Sequence, residues 1–228
     1  MAKKQETKTA VENPEVVRER LISAEDWMER NPKFIGILVA VVVVVAGGFF
    51  GFRWWIDRQD KVAQEEMFQA VRYFEADSLD LALKGTANVS GFETIINEYG
   101  MTPAANLANY YAGVICLKQG KFALAEYYLK DFKSHDLLIQ ARAYSLLGDA
   151  YMEQNKLEEA ADAYHEASNY KPNKYFTPAY LLKEALAYEK LNKNDKAIAA
   201  YERIIKEFWD AQEVPTAKKL KGRLESAS

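Results

Sequence analysis

The sequence predicts an all-α protein, in which a single N-terminal transmembrane helix precedes an α-solenoid of about three to four helix pairs. Two observations predict this fold class. Residues 34–52 form a run of 19 residues without a charged side chain. Residues 141–174 carry small and large side chains at the spacing of a 34-residue helical repeat. The chain therefore divides into a leader at 1–33, a membrane anchor at 34–55 and a repeat domain at 56–228.

We expect one short amphipathic helix within the leader at 1–33. Asn13-Pro14 suits its start, because Asn is a good N-cap and Pro fits the first helical position. Its apolar side is formed by Val17, Leu21, Ala24 and Met28. Two interpretations stay open: the helix rests on the bilayer surface, or it docks on the cytoplasmic face of a partner.

The anchor starts at Phe34, and its apolar run ends at Phe52, directly before Arg53, Trp54 and Trp55. At ~1.5 Å per residue, a helix of this length crosses a hydrocarbon core of roughly 30 Å. Tryptophan favours the lipid–water interface, and arginine extends its charge towards water. The alternative, a cleaved signal peptide, has an apolar core of only about 7–15 residues after a short leader. We therefore expect an uncleaved single-pass anchor.

Charge alone leaves the orientation of the anchor open. The flanking cations are Arg18, Arg20, Arg30 and Lys33 on one side and Arg53, Arg58 and Lys61 on the other. The positive-inside rule needs a clearer difference between the two sides.

The repeat at 141–174 resembles the signature of a tetratricopeptide (TPR) repeat. Positions 4, 7, 8, 11, 20, 24, 27 and 32 are Tyr144, Leu147, Gly148, Tyr151, Ala160, Tyr164, Ala167 and Pro172. The small residues allow close helix crossings, and the large residues fill the space around them. Since one repeat cannot bury its apolar faces alone, we expect neighbouring repeats.

The neighbours of this repeat follow at similar spacing. We expect repeats at about 106–140 and 178–211, with roughly three residues inserted before the last of them. A degenerate helix pair at 57–103 precedes the repeats, and a basic capping helix at 215–225 ends the solenoid. The whole of 56–228 is thus interpreted as one TPR α-solenoid.

The residue types needed for catalysis or metal binding are scarce. The chain has two histidines, His135 and His165, and one cysteine, Cys116, at a repeat position that is normally packed in the core. No zinc-ligand spacing, P-loop or GxGxxG motif occurs. The net charge of −3 disfavours a nucleic-acid binder. We therefore expect no enzyme activity, no cofactor, no metal, no small-molecule substrate and no nucleic-acid partner.

The expected functional surface is the groove that the first helices of TPR repeats line through positions 2, 5, 9 and 12. Here this predicted groove comprises Leu107, Tyr110, Val114, Leu117, Arg142, Ser145, Asp149, Met152, Leu182 and Leu186. One interpretation is a protein-binding groove for an apolar or amphipathic segment. The other is that half of these side chains pack against adjacent repeats.

Three segments resemble the YfgM-type ancillary subunits of the bacterial SecYEG translocon. They are NPK at 31–33, GFETIINEY at 91–99 and AANLANYYAG at 104–113. The order of leader, anchor, degenerate pair and TPR units is also similar. The resemblance implies a single-pass protein of the bacterial inner membrane, with a cytoplasmic N-terminus and a periplasmic TPR domain. It further implies three protein partners: the SecYEG translocon, a PpiD-type chaperone and exported chains.

Two other functions stay open at the level of sequence. One is a TPR scaffold of a different cell-envelope complex, serving division, outer-membrane assembly or secretion. The other is a structural protein that assembles with itself through its anchor or its repeat edges. Neither the bound segment nor the stoichiometry follows from the residues.

Overall fold

The computed structural model describes residues 17, 18, 27 and 30–227. The chain forms two units, unit 1 (Met1–Trp55) and unit 2 (Ile56–Ser228). The elements run in the order α1 (Pro32–Glu75), α2 (Leu79–Lys84), β1 (Gly85–Thr86), β2 (Val89–Ser90), α3 (Phe92–Glu98), α4 (Pro103–Lys118), α5 (Phe122–Asp131), α6 (Ile139–Glu153), α7 (Leu157–Asn169), α8 (Thr177–Lys190), α9 (Asn194–Glu207) and α10 (Val214–Ala227). The predicted all-α fold with one long apolar helix before the repeats is confirmed.

Unit 1 contains the first part of α1, whose apolar run is exposed on all sides. Within the described residues, α1 is the one helix that is long and apolar enough to cross a membrane. Before it, the Trp27 ring meets the Phe34 ring edge-on at 5.5 Å. The predicted leader helix with its Asn13-Pro14 start lies outside the described residues, apart from helical positions 17, 18 and 27.

The first part of unit 2 differs from a simple helix pair. The sequence predicts a helix from about Asp57, but α1 is one helix from Pro32 to Glu75. The polar sequence between α1 and α3, residues 76–91, contains α2 and a two-stranded antiparallel ladder that pairs Gly85 with Ser90. Gly85 has a φ of 77°, and a Cβ there would overlap the Val89 carbonyl, so this turn requires glycine.

The repeats of unit 2 are three antiparallel helix pairs, α4/α5, α6/α7 and α8/α9, followed by α10. We call the first helix of each pair, and the equivalent part of α1 from residue 56 onward, the A helices. Thr102 caps α4 by accepting a hydrogen bond from the Ala105 N–H at 3.1 Å, and Pro103 is its first residue. The close crossing of α6 and α7 depends on Gly148, since a Cβ there would lie 2.5 Å from Cε1 of Tyr164.

The core of unit 2 is a row of apolar clusters between successive helices. The largest cluster near the start is built from α1 to α5 and includes Leu83, Phe92, Ile95 and Ile115. The largest near the end is built from α6 to α10 and includes Leu181, Tyr201 and Ile204. Alanines occupy many of the remaining buried positions, which lets the helix backbones approach closely.

Candidate protein-binding surface

The A helices lie side by side and form one face of unit 2, which we call the A-helix face. At the junction of α1 and α4, Asp60 Oδ1 accepts a hydrogen bond from the Ala104 N–H at 2.8 Å. At the junction of α6 and α8, Lys183 Nζ lies 2.8 Å from both carboxylate oxygens of Asp149. These contacts place the predicted groove residues of successive repeats on neighbouring helices.

The four predicted groove residues on α4 are all half-buried: Leu107, Tyr110, Val114 and Leu117. Leu107 and Leu117 pack against two neighbouring core clusters. The Tyr110 ring lies 5.3 Å from the Phe132 ring and 5.8 Å from the Tyr111 ring. The α4 part of the groove is therefore apolar, and Leu107, Tyr110 and Leu117 are partly engaged by the core.

The predicted groove residues on α6 are more polar. Asp149 accepts hydrogen bonds from the Tyr164 hydroxyl at 2.6 Å and from Lys183, whose Nζ also lies 3.3 Å from Ser145 Oγ. Burial raises the pKa of Tyr164 strongly, and the Asp149 carboxylate adds to that rise. Ser145 is buried and Asp149 is half-buried. These two residues join α6, α7 and α8, as expected for side chains that pack against the next repeat.

Arg142 is exposed at the start of α6 and lies among tyrosines of the neighbouring A helices. Burial raises the pKa of Tyr110 and of Tyr180, and the positive charge of Arg142 opposes the rise in both cases. Tyr180 is absent from the predicted groove because it occupies a different repeat position from Ala179 and Leu182. Arg142 thus adds an exposed cation beside the half-buried Tyr110 of α4 and the buried Tyr180 of α8.

The remaining predicted groove residues are Met152, near the C-terminal end of α6, and Leu182 and Leu186 on α8. Met152 and Leu182 are half-buried against the core cluster of the last repeats. Leu186 is 39% exposed. Of these three, Leu186 is the one that offers the most side-chain surface to a partner.

A cleft between α1 and α4 continues the predicted groove at Leu107. It has a volume of about 390 Å³ and is lined by Gln64, Met67, Phe68, Val71, Pro103, Ala104 and Leu107. Phe68 is 63% exposed, with the Arg72 guanidinium carbon 5.8 Å from its ring centroid. Sequence reasoning missed the α1 side of this cleft because the first helix pair lacks the repeat signature. The three- and four-residue spacing of Gln64, Met67, Phe68 and Val71 was the available signal.

The predicted anchor residues all lie on α1 in unit 1. Phe34, Phe52, Arg53, Trp54 and Trp55 are exposed along the helix, as expected for side chains that face lipid or its interface. In the described part of the chain, this apolar surface is the largest that remains uncovered.

Cys116 and His165 make contacts within the helix stack. Cys116 is fully buried, and burial raises the pKa of its thiol to about 11, which keeps it protonated near neutral pH. His165 contacts Glu184 on the neighbouring helix, with Nδ1 2.7 Å from Oε1. Among the described residues, no group of three or more His, Cys, Asp or Glu side chains is placed to hold a metal ion.

Comparison with known protein families agrees with the repeat pattern in the C-terminal part of the chain. Residues 141–174 and residues 179–208 each match a tetratricopeptide repeat family. The comparison with curated proteins found no match. The chain thus contains TPR repeats, an architecture that generally serves as a non-catalytic scaffold and suggests protein partners.

Proposed function

We propose that the protein is a membrane-anchored TPR adaptor that binds a partner polypeptide on the A-helix face of unit 2. One observation carries this proposal: the cleft between α1 and α4, where Phe68 remains 63% exposed beside Leu107. An aromatic side chain held at the rim of an apolar cleft supplies contact area at little cost in conformational entropy.

The proposed ligand is an apolar or amphipathic segment of a protein. The cleft walls are mainly aliphatic and aromatic, with Gln64 as the polar lining residue. From Leu107 the apolar surface continues to Tyr110, and Arg142 adds a cation beyond it. This arrangement suits a segment whose apolar residues recur at helical spacing and whose flank carries an acidic group.

We further propose that the protein acts as part of a membrane assembly, a protein-export translocon of the SecYEG type. The support is the resemblance of segments 31–33, 91–99 and 104–113 to the YfgM-type subunits. On this proposal, the N-terminus is cytoplasmic, unit 2 is periplasmic, and the ligands are a PpiD-type chaperone or exported chains. The long apolar α1 supports a membrane location.

Photo-crosslinking in intact membranes tests this function. A photoreactive amino acid is placed at Phe68 in the full-length chain, and a matched probe is placed at Tyr127, which is 59% exposed on α5 away from the cleft. The adaptor proposal predicts defined protein crosslinks from Phe68 that are absent from Tyr127. Translocon, chaperone or secretory peptides support the export assignment, whereas other envelope proteins overturn that assignment and keep the adaptor.

A pair of substitutions tests the cleft itself. Phe68→Glu places a charge at the rim and is expected to reduce partner recovery at least several-fold. Tyr127→Glu introduces the same charge at a similarly exposed site and is expected to leave recovery unchanged. Circular dichroism checks that both variants keep their helix content. Equal recovery by the two variants would exclude the cleft as the binding site.

A further inference from the structure

The connections from each helix pair to the next lie along one edge of unit 2. We call this the loop edge, and it consists of residues 99–102, 132–138, 170–176 and 208–213. The opposite edge is made of the connection 76–91, whose Asp80 accepts a hydrogen bond from Gln119 at 3.2 Å, and of the short turns within pairs, 119–121, 154–156 and 191–193. The two edges differ in the side chains that they expose.

Direct contacts connect the loops of this edge. Asn106, near the start of α4, exchanges hydrogen bonds with the main chain of Lys133 at 2.7 and 2.9 Å. The Tyr170 hydroxyl donates to the Ser134 carbonyl at 3.1 Å. A cleft of about 360 Å³ between Lys174, Tyr175 and residues 210–213 joins the last two loops. The edge is thus one continuous surface.

The loop edge exposes large apolar side chains in each of its four segments. The exposed fractions are 71% for Met101, 42% for Leu137, 45% for Leu138, 74% for Tyr175, 45% for Phe176 and 75% for Trp209. On the opposite edge, which the structure describes completely, the three short turns expose no large apolar side chain, and connection 76–91 exposes one, Leu81 at 42%. Every segment of the loop edge thus exposes at least one large apolar side chain, whereas, of the segments described on the opposite edge, only 76–91 does, at Leu81.

Two of these loops are held in defined conformations that present their apolar side chains. Asp136 Oδ1 accepts hydrogen bonds from the Leu138 and Ile139 N–H groups at 2.8 and 2.9 Å. Asn173 Oδ1 accepts from the Tyr175 and Phe176 N–H groups at 3.1 and 3.0 Å. The exposed side chains therefore lie on an ordered backbone, so less conformational entropy is lost when they bind to another surface.

The short distance along the chain from the predicted anchor to the first loop indicates which surface the loop edge contacts. Asp60 accepts a hydrogen bond from the Ala104 N–H at the start of α4, and α4 directly follows loop 99–102. Asp60 is also the fifth residue after Trp55, the last residue of the predicted anchor. Five residues span at most about 18 Å. If residues 34–55 anchor the protein, as the proposed function holds, the bilayer surface lies within that reach of the first loop.

We infer that the loop edge docks on the surface of the lipid bilayer, with its aromatic and aliphatic side chains among the headgroups. Tryptophan and tyrosine are the residues that favour this interfacial layer. The formal charges of the edge balance, with Lys133, Lys171 and Lys174 against Asp136, Asp210 and Glu213. Apolar contact rather than attraction to anionic lipid therefore drives docking, and added salt has little effect on it.

Spin labelling of the full-length protein in nanodiscs of zwitterionic lipid tests this inference. One label is attached at Gln212→Cys on the loop edge, and a matched label at Asp195→Cys near the opposite edge; both positions are exposed. We expect the ratio of collisions with oxygen to collisions with a water-soluble nickel chelate to be several-fold higher at residue 212. Equal, water-like ratios at the two positions would overturn the inference.

A combined substitution separates docking from anchoring. Tyr175→Ser/Phe176→Ser/Trp209→Ser is expected to reduce the ratio at residue 212 to the value at residue 195. The control Leu124→Ser/Tyr127→Ser removes exposed apolar side chains from α5 and should leave the ratio high. If the triple variant keeps a high ratio, these side chains do not dock. Failure of the anchor is a distinct result, because the protein would then not remain with the nanodisc.

Discussion

Both ends of unit 2 are built from packed helices, but different side-chain contacts hold the helices together at each end. In the first part, Tyr111 of α4 stacks on Phe92 of α3, with ring centroids 5.0 Å apart and planes within 3°. Phe74 of α1 meets the same tyrosine edge-on at 5.1 Å. These ring contacts join three helices, beside the hydrogen bonds that Glu66 of α1 accepts from the Ser90 and Tyr99 hydroxyls at 2.7 and 2.8 Å.

In the last repeats, the corresponding junction contains a carboxylate. Glu184 of α8 is only 5% exposed, at a repeat position that is usually apolar. The Ser168 hydroxyl donates to Glu184 Oε2 at 2.7 Å, and His165 Nδ1 lies 2.7 Å from Oε1. The junction of α7 and α8 thus depends on specific hydrogen bonds.

The stability of the two junctions is expected to respond differently to substitution. Aromatic packing loses stability in proportion to the volume removed, because each atom contributes weak contacts. A buried carboxylate requires its donors, since a lost donor leaves a desolvated charge. The first junction is therefore sensitive to size, and the second is sensitive to the completeness of its hydrogen bonds.

The largest expected effect is at the aromatic junction. Phe92→Ala removes a fully buried ring and is expected to lower the free energy of unfolding by about 3–5 kcal/mol. Denaturant unfolding of the detergent-solubilised chain, followed by circular dichroism, measures the change. Phe68→Ala is the control, because this exposed ring should cost about 0.5 kcal/mol or less. Similar losses for the two variants would contradict a junction built on buried volume.

An intermediate effect is expected at the polar junction. Ser168→Ala removes a donor from Glu184 and should cost about 1–3 kcal/mol. The same substitution in a Glu184→Leu background should cost much less, because the carboxylate is then absent and Ser168 also bonds the His165 carbonyl at 3.0 Å. A double-mutant cycle of unfolding free energies measures this coupling. Additive losses would show that the hydrogen bond to Glu184 contributes nothing specific.

Sequence reasoning succeeded where the repeat spacing constrains each residue. Gly148 faces Tyr164 because the helix crossing leaves no room for a Cβ, so the spacing alone locates both residues. The α1–α3 region lacks that spacing, and the ladder at Gly85 and the exposure of Phe68 were missed. Glu184 stands at a repeat position that is usually apolar, but its partners lie on α7, 16 and 19 residues earlier in the chain. Such contacts depend on helix rotation, which a single sequence does not specify.

The partner-binding role of the predicted groove stays a prediction. The structure shows that two of its polar members, Ser145 and Asp149, bond to Lys183 within the stack. Leu186 and the cleft beside Leu107 offer more accessible surface. Spacing identifies which helix faces align, whereas the contacts made by each side chain decide what remains available to a partner.

The smallest expected effect is a pH dependence at the junction between the first two repeats. Glu126 of α5 accepts hydrogen bonds from Lys130 and Lys156 at 2.7 Å and from Gln154 at 3.0 Å. Burial alone would raise the pKa of Glu126, but these three donors outweigh it and lower the pKa from 4.5 to about 2. The stabilisation is therefore complete above pH 4.5 and is lost as the pH falls towards 2.

Glu126→Gln tests this dependence and separates polar from aromatic junctions. It should lower the free energy of unfolding at pH 7 by about 1–2 kcal/mol and should flatten the loss of stability between pH 4.5 and 2. The Tyr111 ring contributes no such slope, because burial raises the pKa of its hydroxyl above the ordinary value of 10. Glu158→Gln is the control, since its carboxylate is 64% exposed and lies 3.7 Å from Lys193. Unfolding curves at several pH values measure both variants, and an unchanged acid slope for Glu126→Gln would show that this carboxylate does not couple the repeats to pH.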